Sequence, residues 1–410
     1  MLLHILATAK HPQLNFVATV HIDHNLQNES KKWAQHCADV SAALNVVHHN
    51  LQVRVENIDT LGMESAARTA RYHAIEQLLP PNDILLTAQH QHDQAETLLL
   101  QLLRGAGPKG LSAMAKKSSM GNMELIRPLL DISQVDILNY AHLHELEWIE
   151  DPSNAETRWS RNYLRHEVWP KIEQRWPQAE TTLSRSAQHC AEASELLVDL
   201  ALQDMKLLNI DVDSESLTIS ALMTLSPARQ RNLLRQYIEL RQFVLPSTKV
   251  LQCIIDEVCL ADLDSEPLVS WADVEVRRYQ DQLYLMTPLQ QHDALQSIML
   301  IDTADTALQN DRILAWQQTM GEGFSEALIA DKLRLGFRQG GERIQLQGHK
   351  HHQSLKHLFQ QWHIPPWQRD RIPLVFCDDK LIAIVGYGLS DGYAVSAGQQ
   401  GYIPVLKAMG

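Results

Sequence analysis

The 410-residue chain is poor in cysteine, with five in all, and no two of them form a CxxC pair. Neither a disulfide scaffold nor a thiolate zinc knuckle can be argued from them. No apolar run reaches the roughly 18 residues that a membrane-spanning helix needs. The opening MLLHILATAK is apolar, but too short and too uncharged at its front for a signal peptide. Internal repeats and low-complexity tracts are missing as well. A reducing, cytoplasmic setting without a membrane partner is the expectation. What is present is an ordinary globular composition, 45% hydrophobic and 21% charged, which excludes disorder throughout. The length suggests two or three domains.

Positive charge is also scarce, for the net charge is -13. Taken whole, that argues against a nucleic-acid binder. Its distribution argues otherwise. Residues 186–330 hold 22 acidic and 9 basic residues and so carry the whole imbalance. Lys332 to Arg371 holds 8 basic residues against 2 acids, with five histidines besides. A polyanion could dock at either end of the chain.

The first 145 residues alternate between strand and helix patterns. Strands are expected at Phe16–Ile22, Leu51–Val55 and Ile84–Ala88, and helices at Met1–Thr8, Glu29–Leu44, Met63–Leu79 and Asp93–Leu103. That order predicts an α/β fold, a parallel sheet with helices on both faces. No strand precedes the Met1–Thr8 helix, although a doubly wound unit normally opens with a strand and a phosphate-binding turn. Either the chain starts just past such a turn, or a peripheral helix has been added to a complete sheet. Beyond a polar linking segment at 147–185, the middle reads as mainly helical: Thr181–Met205, then 221–260 with breaks at Pro227 and Pro246. A hairpin is expected over Val274–Met286. The last 80 residues read as a small α/β domain. The expected boundaries are 1–185, 186–300 and 301–410.

Two polar clusters fall at strand ends, where parallel sheets form their ligand crevice. These are His21-Ile22-Asp23-His24 and His90-Gln91-His92-Asp93. Imidazoles and carboxylates there can hold a metal or move protons, or merely cap helices. Asp93, Glu96 and Arg104 lie on one helix and its exit. Arg104-Gly105-Ala106-Gly107-Pro108-Lys109-Gly110 is a basic glycine loop suited to phosphate, or a helix cap. Glu150-Asp151-Pro152-Ser153-Asn154 is a turn, and Arg158, Arg161, Asn162 and Arg165 come after it. A helix would show the three arginines on one face, fit for a phosphate backbone or for local ion pairs with Glu156 and Glu167. Further on, Arg343, Lys350, Lys356 and several histidines precede Phe359, Trp362 and Trp367. That mixture suits RNA, or a buried Leu355–Leu358–Phe359 helix face with a solvated coat.

Several of these segments together resemble the bacterial tRNA(Ile)-lysidine synthetases, a PP-loop family of N-type ATP-pyrophosphatases. They are VHIDHNLQNES (20–30), ESAARTARY (64–72), LLTAQHQHDQAETLLLQLLRGAGPKGLSAM (85–114), IRPLL (126–130), WIEDPSN (148–154), RNYLR (161–165) and ERIQLQGHKHHQSLKHLFQQWHIPPWQRDRIPLVF (342–376). The likeness runs over nearly the whole chain and is weakest across the acidic middle. Two departures stand out. The family's SGGxDS loop, which comes after its first strand and grips the ATP pyrophosphate, occurs nowhere in these 410 residues. MLLHIL is similar to the family's residues just past that loop. The expectation is therefore a sheet with its first strand missing and a chain that is inactive or nearly so in this form. The second departure is His92, where the family usually has an acid.

The resemblance implies adenylation of the wobble cytidine of a CAU-anticodon isoleucine tRNA by ATP, and then attack by L-lysine, with Mg²⁺ assisting at the phosphates. It implies catalytic roles for Asp93, Glu96 and Arg104, and a nucleotide crevice lined by His24 and His90. Asp151, Asn154, Arg158, Arg161, Asn162 and Arg165 would meet the tRNA at the rim. Lys350, Lys356, Arg369 and Arg371 would hold it from the C-terminal domain. The metal ligands stay unassigned, and a homodimer is allowed. Two other classes remain open at this point. One is a non-catalytic tRNA-binding relative. The other is a metal-dependent hydrolase using His21, Asp23, His24, His90, His92 and Asp93.

Overall fold

A short parallel pair opens the fold: β1 (Ala18–Asp23) beside β2 (Val47–Gln52), in register from Ala18↔Val47 to Asp23↔Gln52. The structure is a computed structural model and describes residues 1–9, 17–24, 29–56, 63–80, 83–121, 123–262, 265–309, 312–390 and 392–408. Phe16, where the first strand is expected to start, lies outside them. Helix α1 (Leu2–Thr8) precedes β1, and α2 (Ser30–Ala43) crosses over to β2, with Thr19 and Ser41 hydrogen-bonded at 2.8 Å. α3 (Met63–Leu78) leads to β3 (Ile84–Leu86), and α4 (Gln91–Leu103) comes next. β3 pairs in parallel with β5 (Met123–Ile126), whose other edge carries the antiparallel β4 (Lys117–Met120).

The parallel α/β architecture therefore stands, in two pieces. Among the described residues no strand joins β1 to β3. Burial shows the same division: before residue 90 the buried apolar side chains among those described are Ala34, Ala66 and Ile75. A sheet edge without a neighbour cannot remove its flanking side chains from water.

After β5 come α5 (Gln134–Leu143), α6 (Ser160–Tyr163), a wider π turn at Leu164–Val168, α7 (Trp169–Arg175) and the long α8 (Ala179–Leu207). Ser133 caps α5 by accepting from the Asp136 amide at 3.1 Å. α1 meets α5 through His4 Nδ1 and Tyr140 Oη, 2.9 Å apart. Ala95, Trp169 and Ala179 form a small core joining α4, α7 and α8.

The chain divides into two compact units, Met1–Leu200 and Ala201–Gly410. In the second, α9 (Ile219–Met223), α10 (Pro227–Leu240) and α11 (Thr248–Cys253) pack on an antiparallel sheet ordered β6-β9-β8-β7. Its strands are β6 (Ser216–Thr218), β7 (Leu268–Trp271), β8 (Val274–Tyr279) and β9 (Gln282–Met286). The expected hairpin is β8–β9, closed by Gln280 and Asp281, with Gln280 in the left-handed region at φ 56°. Inward positions alternate on both strands, and Val274, Val276, Leu283 and Leu285 are buried with Leu233, Leu234 and Tyr237. The middle region thus holds a sheet as well as its helices.

Two larger sheets and one small pair complete the unit among the described residues. β10 (Ile298–Leu300) and β13 (Leu333–Gly336) continue through β16 (Leu374–Cys377), β17 (Lys380–Ile384) and β18 (Gly388–Leu389). β11 (Thr306–Ala307), β12 (Arg312–Met320) and β19 (Gln400–Ala408) form the other. Between β13 and β16 lie the small pair β14–β15 (Arg343–Ile344 with Gln353–Ser354), α13 (Leu355–Gln361) and α14 (Pro366–Arg369), and α12 (Glu326–Lys332) precedes β13.

Candidate active site

The loop after β3 delivers a dense polar site on the first two turns of α4. The His90 amide donates to Asp93 Oδ2 at 3.1 Å, fixing the carboxylate over the helix start, where the exposed amides favour negative charge. His90 Nε2 lies 3.5 Å from the same oxygen. Burial holds the His90 imidazole below its ordinary pKa despite Asp93.

One turn on, Glu96 is fully buried. Three guanidinium bonds reach it: Arg161 Nε at 2.9 Å, Arg165 Nε at 2.6 Å and Arg165 Nη2 at 2.8 Å. His92 Nε2 stands 3.2 Å away. Burial opposes ionisation of Glu96, but His92 and the two arginines outweigh it and hold the carboxyl at about 2. Burial likewise opposes charge on His92. Its carboxylate neighbours Glu180 and Glu96 win, raising it to about 9. Glu180, from the first turn of α8, lies 3.9 Å from His92 Nδ1, too far for a direct hydrogen bond, so its influence is through charge. The Trp169 ring meets His92 edge-on at 4.4 Å. Arg165 Nη2 also donates to Asp93 Oδ1 at 3.4 Å, and Arg161 Nη2 to Thr97 Oγ1 at 3.0 Å. Four elements thus share one charge network.

The structure therefore brings Asp93, Glu96, Arg161 and Arg165 together. Arg104 is not with them. It is the C-cap of α4, exposed, and eleven residues beyond Asp93, roughly 16 Å along the axis. The expected three-arginine stripe is interrupted: Arg158 lies before α6, exposed, on Glu156 at 2.6 Å, while Arg161 and Arg165 turn inward. Asn162 donates to the carbonyls of Ser153 and Glu156 at 2.8 and 3.2 Å, clasping the Pro152–Ala155 turn that Asp151 caps through the Ser153 amide. The Asn154 carbonyl accepts from His166 Nε2 at 2.7 Å.

At the end of β1, His24 has both ring nitrogens buried without a hydrogen-bond partner among the described residues. Burial, then Arg71, lowers its pKa. His21 Nδ1 faces Cys37 Sγ at 3.7 Å. No group of three or more His, Cys, Asp or Glu among the described residues is arranged to hold a metal ion. In the second unit Lys350 and Lys356 are exposed. Arg369 bonds the Ile364 carbonyl at 2.8 Å and Tyr279 Oη at 3.1 Å, and Arg371 bonds the Gln290 carbonyl. Phe359 is buried with Leu355 and Leu358, and Trp362 stacks on Tyr387 at 5.0 Å, so these rings pack the domain. Sequence reasoning missed Glu180, Thr97 and Trp169, whose partners lie far away along the chain.

A parallel α/β fold with a charged site on the helix after β3 is the arrangement expected of a PP-loop domain. The comparisons agree: residues 1–172 match the PP-loop domain, 217–284 the TilS substrate binding domain and 333–405 the TilS substrate C-terminal domain. The tRNA(Ile)-lysidine synthase of Coxiella burnetii (strain RSA 493 / Nine Mile phase I) is 44% identical over 384 residues, 93% of this chain and 85% of the relative. That of Legionella pneumophila (strain Paris) is 39% identical over 395 residues, 95% of this chain and 89% of the relative. A crystal structure of a TilS C-terminal domain aligns with 28% of this chain and 98% of its own, at 23% identity and a TM-score of 0.25. The chain belongs to the tRNA(Ile)-lysidine synthase family, a family of ATP-dependent ligases.

Proposed function

We propose that the protein joins L-lysine to C2 of the wobble cytidine in the CAU-anticodon isoleucine tRNA. ATP adenylates the C2 oxygen and pyrophosphate leaves. The lysine ε-amine then forms a bond to C2, and the C2–O bond breaks to release AMP. The observation that carries this reading is the family membership, together with the carboxylate Asp93 on the first turn of α4, held by the His90 amide and by Arg165.

Chemistry of this kind needs charge balanced at phosphates and a proton accepted from the amine. Asp93 is suited to both tasks, since its lone pairs are not exhausted by two donors. An all-oxygen donor of this type fits Mg²⁺, which takes one or two carboxylates and fills its shell with phosphate oxygens and water. Bound there, the ion would neutralise phosphate charge. Glu96, sealed among three cations, serves as the anchor that aims Arg161, Arg165 and through them Asp93. His24 and His90 line the nucleotide side. Arg104, Asp151, Asn154 and Arg158 face the tRNA at the rim, where Asn162 holds the turn in shape. Lys350, Lys356, Arg369 and Arg371 meet tRNA phosphates from the second unit. The reaction is placed in the cytoplasm.

The test is lysine incorporation into that tRNA with ATP and Mg²⁺. ATP- and lysine-dependent incorporation that is lost in Asp93→Asn is the expected result, and incorporation unchanged in that variant would refute the role given to Asp93. Absence of tRNA binding would refute the functional reading itself.

A further inference from the structure

Within the second unit, a cleft of about 450 Å³ opens between the β8–β9 hairpin, the connecting segment after β9 and α14. Its walls include Arg277, Gln290, His292, Trp367, Asp370 and Arg371. Two of these present buried polar atoms with no hydrogen-bond partner among the described residues: the indole N–H of Trp367 and Nδ1 of His292. Their senses are opposite. The His292 ring donates from Nε2 to the Asp370 carbonyl at 2.7 Å, and burial keeps it neutral, so Nδ1 is an acceptor. The indole N–H is a donor. An orphaned pair of this kind is costly unless a ligand completes it.

The cleft is also electropositive. Arg277 and Arg312 lie near enough to Arg371 to lower its pKa, after burial, by repulsion. The carboxylates at hand are already engaged, Asp370 with Arg338 at 2.9 Å and Glu275 with Arg277 at 2.9 Å. The Arg277 guanidinium stands 5.5 Å from the Trp367 ring centre, and Tyr284 meets that ring edge-on at 5.3 Å. A flat ring, an arginine held by a backbone carbonyl and by no carboxylate among the described contacts, one unpaired donor and one unpaired acceptor converge on a single kind of ligand.

We infer that this cleft binds one nucleoside monophosphate unit, its base at Trp367 with a base carbonyl oxygen accepting from the indole N–H, its phosphate at Arg371, and a ribose hydroxyl donating to His292. Aromatic and guanidinium surfaces hold unpaired nucleotides in this way. The unit has two sources, a free mononucleotide or an unpaired nucleotide of bound RNA. Only the second rests on the proposed function.

The probes are cytidine 5′-monophosphate, cytidine and inorganic phosphate, titrated calorimetrically into the full chain. The monophosphate is expected to bind at millimolar concentration or below, phosphate to compete, and cytidine to bind about tenfold more weakly, as fits loss of a charge-assisted contact. Arg371→Ala should weaken the monophosphate by about tenfold at an unchanged melting temperature. Should that variant fail to fold, Trp367→Phe, which keeps a packed ring and removes the N–H, should still weaken it by severalfold. A tRNA transcript trimmed of its unpaired 3′ nucleotides separates the sources. Weaker binding to wild type but not to Arg371→Ala assigns the cleft to RNA, and no change on trimming assigns it to the free nucleotide. No heat from the monophosphate, or binding indifferent to both substitutions, overturns the inference whatever becomes of the ligase activity.

Discussion

Glu96→Gln is the sharpest test of the charge network. The amide keeps the size of the carboxylate and removes its charge, leaving His92⁺, Arg161⁺ and Arg165⁺ gathered about a neutral group. Three guanidinium bonds at 2.6 to 2.9 Å are involved. Charge-assisted bonds contribute roughly 1.5–3 kcal/mol each in isolation. Their sum must be discounted, because the arginine side chains are 34% and 32% exposed and water screens part of the gain. Removing one member of a buried pair costs about 3–5 kcal/mol, and that range is expected here. Urea denaturation should register it as a lower midpoint for the first unit with the second unit's transition unmoved. Glu96→Leu separates charge from shape: it should cost as much or more, since the cations stay buried without any acceptor. A loss below about 1 kcal/mol for both variants would mean that the network is solvated and that Glu96 does not anchor Asp93.

Stability of the first unit should depend on pH in two windows. Glu96 is depressed from 4.5 to about 2, so its contribution is fully present above 4.5 and lost as pH falls through 2; His92 is raised from 6.5 to about 9, so its contribution is fully present below 6.5 and lost as pH rises through 9. Melting between pH 2 and 10 should therefore peak near 4.5–6.5, and an alkaline loss that survives in His92→Gln would refute the assignment. Asn162→Ala should release the Pro152–Ala155 turn, cost about 1–2 kcal/mol locally and speed proteolysis there; an unchanged cleavage rate counts against it. Lys350→Ala with Lys356→Ala should lower tRNA affinity without altering which tRNA is preferred, reduce the salt slope by about one unit per cation and shift folding by no more than about 0.5 kcal/mol. Unchanged affinity and slope would take this face out of the binding surface.

Local pattern made most elements legible. α4 is expected at Asp93–Leu103 and is Gln91–Leu103; the β8–β9 hairpin is readable from two alternating runs and a turn. β2 is expected at Leu51–Val55 but spans Val47–Gln52. Its first half carries His48 and His49, which look polar on their own, and the strand there is imposed by pairing with β1. β6 and β7 escape notice because each is short and borrows its stability from the hairpin. The site is half legible. Asp93 and Glu96 sit one turn apart at a helix start, a local signal. That Arg161 and Arg165 face inward depends on a separation of some 65 to 70 residues, and spacing alone favours a solvent stripe equally.

The division of the first sheet also has a consequence in time. β1 and β2 share six paired positions with each other and lean on α2, while β3 and β5 belong to a different ladder. An opening of the first pair need not disturb the second, so the unit should keep two clocks, a fast one for amide exchange along β1 and β2 and a slow one along α4 and α8, which the Glu96 network locks. The ratio of the two rates would measure how far the steadiness of the Glu96 network reaches beyond the helices that carry it.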